Sequence, residues 1–547
     1  MSQQPLIKET QMNSNKKKVC LSKHCIGASN RIFEYMDDEI DPCEDFNKFA
    51  CGGFDKKTII PDDKSGWAPA NIMVETIESE GRKLIEEPIN DEKDFESYKK
   101  AKNYYKLCMD EEKQDAIGVK PLMEILGKLG GWPLLEGDAW DGEQFNIWNL
   151  SIKLKHLGLS SNYFAAVGIG NDDRNNSFSV IHFGSASLGL PKSFWDRGVN
   201  EPVVQAYFQS MIDVAVHLGA EENKAKEELK KVFEFEMQLA NISLSREDSR
   251  NKTKLYNPTT LAQFPVSEEL PQSWTMYLQK LYDFGDEKLD IQETERVIIV
   301  DVDFYKNLSQ ILQNTDKRTL ANYVGWRVAL QSQSSLGSKE RAIVQKFIKV
   351  MTGVDQQESR WKTCLTQVGF NSRGGAFLYA VSSMYARFIF NANSKEQVLD
   401  MTHYLRRAFA KILDESEWMD DETKNEARKK LSNMKQFIAH PDEVLIKEKV
   451  DGFYAGLDLD KEDYFGNELK INKYHGKYND LQLREVIDPN DWKKQLVAVV
   501  NAFYDPSRNA FLFPAGILQG NHSASSNILL RVSSVSYLEL SQFLSNI

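Results

Sequence analysis

Residues 496–519 read LVAVVNAFY, then a DPSR turn, then NAFLFPAGILQ. An apolar run, a turn opened by Asp505 and Pro506, and a second apolar run ending at Pro514 predict a β-hairpin. Such a hairpin restricts the fold, and the expectation here is that it lacks the sheet it should join, leaving unpaired strand edges that favour aggregation. Within it, Asn501 and Ala502 precede two aromatics, Phe503 and Tyr504. On a strand with an open edge, this Asn-Ala pair would hold an extended peptide by adding it as another strand. The plainer expectation for the same residues is a core hairpin without a ligand.

Most of the remaining sequence is patterned for helices. Over residues 223–240, Leu229, Val232, Phe233, Met237 and Leu239 form one apolar stripe beneath a charged face, as a core-packed helix requires. Further helices are expected over 97–109, 305–333, 338–351, 379–390, 395–413 and 421–437, the last capped by Asp420, and strands within 165–179. Residues 26–53 predict a short helix, a break at Asp41-Pro42, a second helix and a stop at Gly52-Gly53. No internal repeat is present. At 547 residues the chain has room for two to four ordinary domains.

Charge narrows the function classes. A net charge of -12 argues against a nucleic-acid partner, since phosphate binding needs a basic face. Lys16, Lys17 and Lys18 form the notable basic cluster near the start and read as part of a loose polar stub. No run of 18 or more apolar residues exists, so no membrane span is expected. The opening MSQQPLIKETQMNSNKKK also lacks the apolar core of a signal peptide.

The cysteines point elsewhere. Cys20, Cys25, Cys43 and Cys51 crowd the first tenth of the chain, while Cys108 and Cys364 stand apart. No pair has the C-x-x-C spacing of a zinc knuckle, so disulfides are expected, with fifteen pairings open. Glycosylation sequons begin at Asn149, Asn175, Asn241, Asn251, Asn307 and Asn521. Together they favour an oxidising, glycosylating compartment over what the missing leader would suggest.

The stretch MDDEIDPCEDFNKFACGGF, from Met36 to Phe54, resembles the N-terminal signature of the neprilysin and endothelin-converting enzyme family of zinc metalloendopeptidases. Further similar motifs follow in the family's order: Ile60-Pro61-Asp62-Asp63, GWPLLEG from Gly131, VIHFG from Val180, LGLPKSFW from Leu188, WKTC from Trp361, EWMDDETKNEARKKL from Glu417 and AHPDEVL from Ala439. The resemblance covers roughly Cys20 to Gln519. It implies a mainly α fold with small β elements (α+β), in which a large helical lobe closes over a thermolysin-like catalytic lobe around small peptides. The expected division is a polar stub at 1–19, the mostly helical neprilysin-like region at 20–490, the start of the metallopeptidase domain at 491–519, and an unrelated Ser-rich tail at 520–547.

The resemblance also implies site chemistry. Asn501 and Ala502 match the pair that grips the substrate backbone. Cys20 would pair with Cys25 and Cys108 with Cys364, leaving Cys43 and Cys51 as orphans whose family partners lie in a C-terminal segment without a counterpart here. Where some members carry an Arg for the substrate's C-terminal carboxylate, Gly66 aligns, which favours internal cleavage. The family is extracellular or bound to the cell surface.

Zinc is where the match stops. A His-Glu-x-x-His helix would place two imidazoles on one face and a carboxylate beside the metal-bound water. The eight histidines, His24, His156, His182, His217, His403, His440, His475 and His522, are never followed by Glu, and no two are four apart. Neither a Gly-x-Ser-x-Gly elbow nor a catalytic cysteine replaces them. The expectation is a neprilysin-like chain, truncated before its zinc motif, with no zinc and no catalytic residue of its own. Two alternatives stand beside it: an incomplete record of an active zinc metalloendopeptidase, and a non-catalytic peptide- or partner-binding protein.

Overall fold

Ser22 and Asp45 start the first two helices by accepting the backbone N–H groups of Cys25 and Lys48, at 3.3 and 2.9 Å. These are α1 (Lys23–Tyr35) and α2 (Phe46–Lys57). The expected stop at Gly52-Gly53 is not seen, for α2 continues four residues further, to Lys57. Close approach is the reason for the glycine. A Cβ at Gly53 would lie 2.2 Å from the carbonyl oxygen of Met36 and 2.8 Å from that of Glu34, so only a hydrogen fits between the two helices. Lys56 pairs with the buried Asp37 at 2.7 Å, and Tyr35 meets Phe54 edge-on at 5.1 Å. The disulfide Cys20–Cys25 closes the approach to α1, while Cys43 and Cys51 carry exposed free thiols.

This computed structural model describes residues 19–265, 267–372, 374–488, 490 and 497–519. The expected stub, the expected tail, Asn521 and Leu496 lie outside the described residues. Two compact units are distinguished, one holding residues 19–59, 391–409 and 518–519, the other 60–390 and 410–517.

The larger unit is mainly α with small β elements. In chain order its principal elements are α3 (Pro69–Glu86), α4 (Glu96–Met109), α5 (Ile147–His156), β1 (Ala166–Asn171), β2 (Ser179–Gly184), α6 (Pro202–His217), α7 (Glu222–Ile242), β3 (Asn257–Thr260), α8 (Trp274–Leu281), β4 (Arg296–Ile299), α9 (Val302–Gln313), α10 (Lys317–Ser332), α11 (Ser338–Thr352), α12 (Arg360–Val368) and α13 (Leu378–Phe388). Then come α14 (Ala392–Glu415), which begins in the smaller unit, α15 (Asp421–Ser432), β5 (Lys435–Ala439), α16 (Tyr464–Leu481), β6 (Phe503–Asp505) and β7 (Ala510–Pro514).

The first sheet has the order β1-β2-β4-β3, with β2 and β4 parallel and the other pairs antiparallel. Its inner face meets an aromatic cluster in which Trp274 lies 5.2 Å from Phe183, 4.7 Å from Phe264 and 5.9 Å from Tyr305. Behind the LGLP loop, the fully buried Glu236 accepts hydrogen bonds from the Tyr207 hydroxyl, at 2.8 Å, and from the Gly189 N–H. Burial raises the pKa of this carboxyl against the opposing charge of Arg327. The disulfide Cys108–Cys364 ties α4 to α12 across 256 residues.

Two predicted helices are shorter than their periodicity suggested. Residues 305–333 form α9 and α10, separated because Asp316 accepts the Thr319 N–H at 2.9 Å and starts a new helix. The helix expected to reach residue 437 ends at Ser432, because Phe437 and Ile438 are drawn into the ladder of β5 with β7.

Candidate functional site

The predicted hairpin is present as β6 and β7, paired antiparallel with Phe503 opposite Leu512 and Asp505 opposite Ala510. It has joined a sheet, which corrects the expectation of unpaired strand edges. Strand β5 runs parallel to β7 on its other side, giving the order β5-β7-β6. Phe437, Ala510 and Leu512 are buried together, with Phe503 packed against them, so one apolar face holds the three strands in register.

The turn is fixed by its own side chains. Asp505 accepts the Ser507 N–H at 3.0 Å and the Arg508 Nε–H at 2.7 Å. Burial pushes the Asp505 carboxyl up, but the Ser507 and Arg508 hydrogen bonds outweigh it and hold the group below the usual carboxylate range. Arg508 also lies over the Phe437 ring, 5.3 Å from its centroid. Asn509 adopts φ 45°, a left-handed conformation that Asn tolerates. Its Nδ2 donates to the Lys430 carbonyl and its own carbonyl accepts the Lys435 N–H, each at 2.8 Å, which anchors the turn beside the end of α15.

Asn501 and Ala502 stand immediately before β6 and not within it. This corrects the expectation of a strand through the whole run LVAVVNAFY. The described part of the run before Asn501 makes its backbone bonds elsewhere: the Val497 carbonyl accepts the Gly516 N–H, and the Ala498 carbonyl accepts the Asn371 N–H, both at 2.9 Å. Ala502 is 1% exposed. The half-buried Asn501 turns its Oδ1 back onto the Ala502 N–H at 2.8 Å. The pair thus stands at the entrance to the end strand of the sheet. Gly66 lies apart from these elements in the chain and is exposed, with open space around its Cα.

Four of the histidines make structural contacts. His182 donates from Nε2 to the Asn171 carbonyl at 3.1 Å, and His475 to the Ala376 carbonyl at 2.9 Å. His440 donates from Nδ1 to the Pro441 carbonyl, and His217 meets Glu340 at 2.7 Å. Among the described residues, no group of three His, Cys, Asp or Glu side chains is placed to hold a metal ion.

Sequence reasoning missed a buried charge cluster between α3 and α12. Lys362 meets Glu75 and lies 3.7 Å from Glu78, while Lys64 pairs with Glu358 at 2.5 Å. Burial pushes the Glu78 carboxyl up to about 7, with Lys362 opposing and Glu75 and Glu358 reinforcing the shift. A sequence offers no signal for partners some 280 positions apart.

The family model described as Peptidase family M13 matches residues 42–441. The chain belongs to peptidase family M13. Over 517 residues it is 34% identical to neprilysin-2 of Drosophila melanogaster, an alignment covering 92% of this chain and 65% of that one. Neprilysin of Homo sapiens is 31% identical over 517 residues, covering 92% and 68%. The chain thus spans 65% of the length of the first of these relatives. Among solved structures, the zinc metalloprotease Zmp1 of Mycobacterium tuberculosis superposes with a TM-score of 0.73 at 20% identity, over 90% of this chain and 70% of that one. The Haemonchus galactose-containing glycoprotein complex gives 0.70 at 19%, over 93% and 72%. These two likenesses show a shared fold. The described part of this M13 chain contains no helix long and apolar enough to cross a membrane.

Proposed function

We propose that this chain frames small peptides for M13-type metallopeptidase chemistry and does not hydrolyse them with its own 547 residues. One observation carries the reading: Asn501 and Ala502 are fixed at the start of the end strand of a packed sheet, where an extended peptide can be held through its backbone. The family's zinc-dependent hydrolysis needs ligands that no His-Glu-x-x-His supplies in this sequence. Residues 491–519 are read as the opening of the catalytic domain. Binding of short fluorescent peptides to the purified chain, with zinc added and cleavage followed in parallel, tests both halves. Weak binding reduced by Asn501→Ala, without cleavage, is expected. Stoichiometric zinc with chelator-sensitive cleavage would overturn the inactive half, and affinity indifferent to Asn501→Ala the capture half.

The family match favours a second reading, that the gene encodes a full zinc metalloendopeptidase of which this chain is an incomplete product. A His-Glu-x-x-His frame at the transcript's 3′ end supports it, and its absence from every transcript rejects it.

We also place the protein outside the cell or on its surface. The two disulfides support this, as do the exposed sequon residues Asn149, Asn175, Asn241 and Asn251, and the half-buried Asn307. An electrophoretic shift on endoglycosidase treatment of the protein from animal cells is the expected result.

A further inference from the structure

A cavity of about 290 Å³ opens between the loop that follows α5 and the face of α16. That volume sits at the small end of pockets that hold small molecules. Its wall contains Lys155, His156, Lys473 and Lys477, the hydroxyl residues Ser160 and Ser161, and three amide side chains, without one Asp or Glu. The frame is tight. Gly158, at φ 82°, is where the backbone of α16 comes closest: a Cβ there would lie 2.0 Å from the Leu469 carbonyl oxygen.

The charges are not equivalent. Lys155 is answered by Asp480 at 2.6 Å, and Lys477 by Asp286 at 2.5 Å and Glu287 at 3.5 Å, all three carboxylates standing outside the lining. Lys473 is exposed and has no ion-pair partner among the described residues, while the buried Nε2 of His156 has no hydrogen-bond partner among them. Burial, reinforced by the charge of Lys473, holds the His156 imidazole below its ordinary pKa against the Leu281 and Lys280 carbonyls. The wall thus concentrates ammonium and hydroxyl donors, with no carboxylate among its lining residues.

We propose that this cavity is a binding site for phosphate, free or carried as a monoester by a small molecule. Lysine ammonium groups suit phosphate as point charges, and Ser160 and Ser161 supply neutral donors beside them. Lys473 is the residue that brings a charge not already matched within the protein.

Equilibrium dialysis of the whole chain against radiolabelled inorganic phosphate at low ionic strength tests this, with ribose 5-phosphate and unlabelled phosphate as competitors. Saturable one-to-one binding is expected, weakened roughly tenfold by Lys473→Ala, the loss typical of one charge-assisted hydrogen bond. Lys153→Ala, an exposed position of α5 outside the lining, should leave it unchanged. Stronger displacement by the sugar phosphate assigns a carried phosphate, and equal displacement the free ion. Absence of saturable binding, or equal losses in both variants, would overturn the site.

Discussion

Glu78 is a carboxyl packed between α3 and α12, facing Lys362, Glu75, Glu358 and Lys64. Its folded pKa of about 7 exceeds the ordinary value of 4.5, so the folded state binds the extra proton between those limits. Stability from this group is complete below pH 4.5 and is lost as pH rises through 7. Glu78→Gln should therefore flatten the loss between pH 5 and 8, a gain of about 1–3 kcal/mol at the alkaline end in urea titrations. An unchanged pH profile would remove Glu78 as its source. Asn509 offers a second test. Asn509→Ala loses a left-handed residue and a side-chain bond to Lys430, and should lower stability by about 1–2 kcal/mol in the same titrations. The hairpin pattern and the resemblance singled out Asn501 and Ala502 as candidates. They had no route to Glu78, whose chemistry depends on Lys362 in a distant helix.

Among the elements, the glycines of α1 and α2 separate local propensity from tertiary contact. Gly27 faces open space in the middle of α1, so Gly27→Ala should stabilise by about 0.5–1 kcal/mol. Gly53→Ala inserts a methyl group against two backbone carbonyls and should destabilise by about 2 kcal/mol or more. Thermal unfolding of the two variants, moving in opposite directions, checks the pair. The same distinction explains the helix boundaries. Asp420 made the start of α15 legible in the sequence, and it accepts the Thr423 N–H there, but the helix end was set by β7 claiming Phe437. Asp505 and Pro506 likewise announced the turn, whereas the short reach of β6 reflects bonds that Val497 and Ala498 make to Gly516 and Asn371.

For the whole molecule, the disulfide Cys108–Cys364 is the longest covalent constraint, enclosing 256 residues, while Cys20–Cys25 encloses five. Loop-closure entropy makes the first worth roughly 5 kcal/mol as a ceiling. Replacing Cys108 and Cys364 together by Ala should lower the unfolding midpoint far more than the same change at Cys20 and Cys25. Equal effects, read by urea unfolding, would show that chain entropy is not the governing quantity.

The sequence by itself determined the family, the mainly helical composition and the hairpin. Each is written in contiguous motifs or local periodicity, where nearby residues carry the whole signal. Only the tertiary structure decided that β5 completes the hairpin's sheet, that Gly53 joins helices instead of ending one, that Glu78 is buried beside Lys362, and that Lys473 and Ser160 line one cavity. Those features arise from side chains and backbones brought together across long stretches of chain, and the packing that unites them has no local pattern to announce it.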